Sequence, residues 1–94
     1  MTASGAPPPT IAVVVPVLDE ADHIGACLEA LRVLPGIAEV LVVDGGSRDR
    51  TVEIVRARPD VHFLAAPRSR GAQLNAGARV ARADVLLFLH ADVS

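Results

Sequence analysis

Hydrophobic positions along this chain follow two rhythms in alternation. Ile11–Val17 is an unbroken apolar run rich in β-branched residues, the pattern of a strand buried on both faces. Ile24, Cys27, Leu28, Leu31 and Leu34 then recur at intervals of three and four, which is one face of a helix. Asp19 is placed to cap that helix, with Glu20 and Asp22 in its first turn, and Pro35-Gly36 stops it. Residues 40–43 (VLVV) predict a second strand, followed by a loop at Asp44-Gly45-Gly46-Ser47. A short helix is predicted over 51–58, capped by Ser47 or Asp49 and closed by Pro59. Residues 61–64 predict a third strand and 65–70 a loop. Residues 71–83 predict a helix with Leu74, Ala78 and Ala81 on one side, its small residues pointing to close packing on a sheet. Asp84 opens a fourth strand over 85–89.

The predicted order is β-α-β-α-β-α-β, an α/β class with a parallel sheet and right-handed crossovers. One rival is local: Asp44-Gly45 between apolar runs is also a hairpin signal. The following segment TVEIVRAR has the length and capping of a helix instead. The opening MTASGAPPP reads as a flexible tail, so the expected organisation is a tail over 1–10 and one domain over 11–94.

Composition narrows the function classes. A chain of 94 residues makes one small domain, which buries only roughly two-thirds of its unfolded surface, so an enzyme built on it must be compact, oligomeric or completed by another piece. A hydrophobic share of 51% excludes whole-chain disorder. Phe63 and Phe88 are the only aromatics, too few for base stacking, and a net charge of −2 gives no basic field. Nucleic acid is therefore not an expected partner. All nine basic residues are Arg, a side chain suited to bidentate contact with phosphate or carboxylate. The lone Cys27 excludes an internal disulfide and a multi-cysteine metal site, and makes the cytoplasm the default compartment. Residues 1–18 lack a cationic start, are interrupted by four prolines, and hold too short an apolar run to span a bilayer. Neither a signal peptide nor a membrane helix is expected.

The candidate chemistry gathers after the strands. In a parallel α/β sheet, ligands bind beyond the carboxyl ends of the strands. There this sequence places Asp19 and Glu20, then Asp44 to Asp49, then Arg68, Ser69 and Arg70, then His90 and Asp92. Each residue also has a structural use, as a helix cap, a turn former or a solvated charge. Together they describe a surface for a charged, hydrogen-bonding small molecule. No G-x-G-x-x-G follows the first strand and no P-loop motif occurs, so dinucleotide and P-loop chemistry lack their glycine cradles.

The ordered set PVLDE (16–20), VVDGGSRDRT (42–51), GAQLNAGA (71–78) and VLLFLHAD (85–92) resembles the amino-terminal half of a family 2 glycosyltransferase of the GT-A fold. The GGS and HAD variants are similar to a bacterial subgroup of small, soluble members. The resemblance implies a Rossmann-like sheet with strand order 3-2-1-4 and a nucleotide-diphospho-sugar ligand carrying uracil or guanine. It implies that Pro16, Val17 and Glu20 line the nucleoside pocket and that Asp44 hydrogen-bonds the base or ribose. Arg70, with Arg68, would lie near the nucleotide, while Asn75 would be structural. Asp92 would hold a divalent metal on the diphosphate. Here the family's D-x-D is His90-Ala91-Asp92, so His90 joins Asp92 as the metal pair, and an imidazole suits Mn²⁺ better than Mg²⁺.

The expected function is the donor-binding part of an inverting, metal-assisted sugar transfer to a hydroxyl acceptor. The family's general base and acceptor site lie in the other half of the domain, so no catalytic base is assigned and the chain alone is expected to be inactive. The implied strand order leaves one apolar face under-covered and makes 85–89 an exposed edge, open to a homodimer or another chain. The alternative function is a non-catalytic α/β interaction module.

Overall fold

The computed structural model describes residues 7–92. The first six residues of the expected tail lie outside the described residues. Seven elements follow one another: β1 (Ile11–Val17), α1 (Ala21–Arg32), β2 (Ile37–Asp44), α2 (Thr51–Arg56), β3 (His62–Ala65), α3 (Arg70–Val80) and β4 (Val85–Phe88). The four strands form one parallel sheet in the order β3-β2-β1-β4. The hairpin alternative at Asp44-Gly45 is thereby excluded, because β2 and β3 run parallel with α2 as their crossover.

β1 lies at the centre, hydrogen-bonded to β2 on one side and β4 on the other. Successive residues of a strand point to opposite faces, so its apolar run feeds two cores. Val13, Val15 and Val17 pack with Val42 against Ile24, Leu28 and Leu31 of α1 and Val55 of α2. Ala12 and Val14 pack with Leu41 and Val43 against Leu74 and Ala76 of α3. The second layer is thin, and one glycine makes it so. A Cβ on Gly77 would stand 2.4 Å from Val14 Cγ1, far inside van der Waals contact. The close packing expected of this helix is made by Gly77, with Leu74, Ala76 and Ala81 on the sheet; Ala78, expected on that side, is not in the cluster.

Several boundaries differ from the periodic reading, each for a local reason. β2 begins at Ile37 rather than residue 40, because Ile11 pairs with Ile37 across a register irregularity. α1 ends at Arg32, leaving Leu34 exposed although its spacing extends the buried stripe. α3 starts at Arg70 and ends at Val80, three residues before the expected end at 83. The Glu39 carboxylate takes over there, accepting from the Arg82 and Ala83 backbone N–H groups at 2.7 and 2.8 Å. Thr10, assigned to the tail, is tied to Asp84: its N–H donates to Asp84 Oδ2 at 3.0 Å, and its carbonyl accepts from Val85 at 2.9 Å.

β4 is the exposed edge that the strand order implied. All four of its residues are exposed, Phe88 most of all at 54%. The close approach at Gly77 gives a test. Gly77→Ala should cost about 1–3 kcal/mol, a fall in Tm of roughly 4–20 °C for a domain of this size. Adding Val14→Ala, which removes the two methyls in the way, should restore part of that loss in thermal melts.

Candidate functional site

The site begins where a proline ends a ladder. The Leu89 N–H donates to the Val14 carbonyl at 3.0 Å, the last step of β4 against β1. The next step would need an N–H from residue 16, which is Pro16 and has none. The chain beyond Leu89 is therefore free to leave the sheet. Ala91 is 6% exposed and packs into the α1–α2 core, which pins the turn. His90 and Asp92 flank it, both exposed. Pro16 thus allows the fourth strand's tip to fold over the end of the first.

A cavity of about 290 Å³ opens at this end of the sheet. Pro16, Val17, Leu18 and Glu20 line it from β1. Arg68, Ser69, Arg70 and Gln73 line it from the start of α3, and His90, Ala91 and Asp92 from the segment after β4. Six of the seven expected site residues are thus brought together, along with Arg68. The exception is Asp44. It lies in register with Val17 but is not among the lining residues, and only 5% of its surface is exposed.

The Asp44 carboxylate is bonded to its own loop. It accepts from the backbone N–H groups of Gly46 and Ser47, each at 2.9 Å, and from the Ser47 hydroxyl. Ser47 Oγ accepts in turn from the Asp19 N–H at 2.8 Å. Asp19 has φ +52°, and that left-handed turn aims its carboxylate away from α1. It accepts instead from the Arg48 and Asp49 N–H groups at 2.7 and 3.3 Å. The expected cap of α1 by Asp19 is therefore corrected. Asp49 supplies a bond there from the neighbouring loop, accepting from the Ala21 N–H at 3.1 Å through one oxygen. Its other oxygen accepts from the Thr51 N–H and hydroxyl at the start of α2. One carboxylate serves two helix starts. Ser47, the other expected α2 cap, is spent on Asp44 and Asp19.

The two glycines of this loop have different reasons to be there. Gly46 has φ +103°, which a side chain would strain. Gly45 needs space, since a Cβ on it would stand 3.0 Å from Gln73 Cδ. Gln73 was not singled out by the sequence. It is 6% exposed, and its Nε2 donates to the carbonyls of Val17 and Val43 at 3.0 and 2.9 Å. Its signal was a polar residue four before Gly77, on the same helix face. Ser69, expected among the polar residues after the third strand, lines the cavity and also caps α3, its Oγ accepting from Ala72 N–H at 3.3 Å.

Charge around the cavity is mixed. The amino end of α3 carries the positive pole of its dipole, and Arg68 and Arg70 add two guanidinium groups. Arg70 Nη1 lies 2.8 Å from His90 Nε2. A guanidinium can only donate, so in this contact the imidazole Nε2 is the acceptor. His90 therefore meets Arg70 rather than standing open to a cation. Glu20 lies 3.2 Å from His23 Nδ1, while Asp92 has no side-chain hydrogen bond among the described residues. No cluster of three or more His, Cys, Asp or Glu side chains able to hold a metal occurs among the described residues. The donor set fits a divalent ion in one manner only. A single hard carboxylate at the mouth of an open cavity suits Mg²⁺ or Mn²⁺ whose other ligands are phosphate oxygens and water.

A parallel sheet with crossover helices on both faces and an arginine- and acid-lined cavity beyond the carboxyl ends of its strands defines a Rossmann-like α/β domain. The chain belongs to glycosyl transferase family 2, whose family model matches residues 12–94. It is 37% identical over 95 residues to glycosyltransferase AglE of the archaeon Haloferax volcanii, covering 92% of this chain and 31% of that protein. Its fold matches glucosyl-3-phosphoglycerate synthase from Mycobacterium tuberculosis, solved with Mn²⁺, UDP and glucosyl-3-phosphoglycerate, with a TM-score of 0.79 at 23% identity. That match covers 92% of this chain and 34% of the synthase. It also matches mannosyl-3-phosphoglycerate synthase from Rubrobacter xylanophilus, with a TM-score of 0.78 at 26% identity over 89% of this chain and 31% of that one. The chain spans about a third of the length of these relatives.

The Asp49 bridge carries a pH signature. Its bonds to the Thr51 hydroxyl, and then to backbone N–H groups, hold its carboxyl below the usual range. The stabilisation is therefore present above the unfolded pKa and is lost as pH falls through the lower folded value. Asp49→Ala should melt below the unsubstituted chain by a margin that is constant above about pH 5 and shrinks below about pH 4. Glu29 and Glu53, also held low by arginines, cancel in this difference.

Proposed function

We propose that the chain holds the nucleotide-diphospho-sugar donor of a metal-assisted, inverting glycosyltransferase, with a UDP- or GDP-sugar at the strand-tip cavity. The observation that carries this reading is the convergence of Arg68, Arg70 and Asp92 on one cavity at the carboxyl end of a family 2 sheet. The Mn²⁺ and UDP in the mycobacterial synthase support it.

In this reading Pro16, Val17 and Glu20 form the nucleoside wall. Asp44 stiffens the loop beside it and offers the base or ribose whatever acceptor capacity its three loop bonds leave. Arg70 faces the diphosphate, held by His90. Asp92 is the metal ligand, and His90 joins it only by giving up Arg70. A bound Mn²⁺ or Mg²⁺ would offset the charge that gathers on the departing diphosphate. As the glycosyl–phosphate bond weakens, the sugar takes on oxocarbenium character. The guanidinium groups of Arg68 and Arg70 favour that state by attracting the charge left on the phosphate. No residue of the chain is assigned as the base for the hydroxyl acceptor, so turnover is taken to need groups outside these 94 residues.

A nucleotide-sugar ligand and a lone thiol fit a cytoplasmic setting; no helix among the described residues is long and apolar enough to cross a membrane. The exposed β4 edge favours a second reading, an interaction module that pairs through this strand, with a homodimer as its simplest form. Nucleotide dependence separates the two. At 100 times its Kd, UDP or GDP with Mn²⁺ should raise the Tm by roughly 10 °C or more. Asp92→Asn should remove the Mn²⁺-dependent part of the shift and Arg70→Ala most of the nucleotide part. No shift with either nucleotide, together with concentration-dependent dimers abolished by Leu87→Glu, would favour the module.

A further inference from the structure

We infer that Gln73 is a positioning residue for the donor site, acting as a clamp that sets the strand tips and the start of α3 relative to one another. The inference rests on the donor-binding reading of the cavity. Both protons of its Nε2 are committed, one to the Val17 carbonyl at 3.0 Å and one to the Val43 carbonyl at 2.9 Å. Two carbonyls can only accept, so the orientation of the amide is settled by its partners. The amide is nine-tenths buried, and Gly45, by lacking a Cβ, leaves it room.

This one side chain touches three parts of the site. Val17 leads into the Pro16-to-Glu20 wall. Val43 leads into Asp44 and its loop. Gln73 itself lies one turn into α3, and its N–H donates to the Ser69 carbonyl at 2.9 Å, next to Arg70. The clamp therefore fixes how far the Arg70 guanidinium stands from the ends of β1 and β2. The sheet itself does not need the clamp. Val17 O also accepts from Gly45 N–H at 3.0 Å, and Leu74, Ala76 and Gly77 hold α3 to the sheet. Removing the amide should thus loosen the tips while leaving the fold.

Gln73→Met keeps length and bulk but removes both donors. UDP affinity of the 94-residue chain with Mn²⁺, measured by calorimetry, should fall about tenfold, the loss of one charge-free hydrogen-bonded pair from a preorganised site. Backbone amide resonances should move at 17–20, 44–49 and 68–70 and stay in place in α1 and α2. Gly45→Ala, which pushes a Cβ into the amide without removing it, should give the same pattern. Its effect should vanish when residue 73 is shortened by Gln73→Ser, a non-additive cycle that a purely local glycine effect would not produce. UDP affinity unchanged in both single variants would overturn the inference. Should Gln73→Met not fold, the Gly45→Ala result and its cycle decide alone. If the unsubstituted chain binds no UDP, the donor reading fails instead; the clamp then stands or falls on whether the tip resonances move.

Discussion

The structure depends on the burial of β1 from four sides. Like β2 it has a neighbour on each edge and helices over both faces, and five of its seven residues are almost wholly buried. Each further feature accommodates that fact. α1 and α2 bring branched side chains to one face. α3 reaches the other only because Gly77 lets it come within contact of Val14. Pro16 is tolerated in the central strand because it falls one step after β4's last bond. The same missing N–H that ends the ladder opens the cavity.

Hydrogen bonding distinguishes the acids that serve the fold from Asp92 at the cavity. Backbone N–H groups at loops and helix ends lack ladder partners, and acidic side chains of this chain supply acceptors for them. Asp19, Asp44 and Asp49 lace the β1 and β2 tips together, Glu39 closes α3, and Asp84 holds Thr10. Asp92 has no such duty. On the cationic side, Arg70 faces the cavity with His90, whereas Arg32 and Arg58 pair with Glu29 on the helical face away from the site. The cavity thus keeps guanidinium groups and one carboxylate without a side-chain hydrogen bond at its rim, the mixture on which the proposed donor site rests.

Alternation of apolar runs with three-and-four spacing was enough to read seven elements in order. Burial on both faces leaves a continuous apolar strand, and burial on one face leaves a helical stripe. The exposed β4 edge followed once the strand order was in hand. The limits of that reading appear at the loops. Asp19 looked like a helix cap because an acid precedes a helix. A left-handed turn sent its carboxylate elsewhere, and Asp49, from 28 residues away, reaches Ala21 instead. Gln73 stands in a helix of weak periodicity and gives no pattern of its own, yet it bonds carbonyls 56 and 30 residues distant.

By itself, then, the sequence determined the element order, the parallel sheet, the face each strand buries, and the group of polar residues that ends up beyond the strand tips. These follow from periodic burial, which is written locally. Tertiary structure alone decided which acids are consumed by backbone N–H groups, why Gly45 and Gly46 are both glycine, that His90 meets Arg70, and that an amide from α3 holds two strand tips. Those outcomes depend on the register and distance between segments far apart in the chain. Hydrogen bonds are decided over tenths of an ångström, a scale on which one-dimensional spacing carries no information.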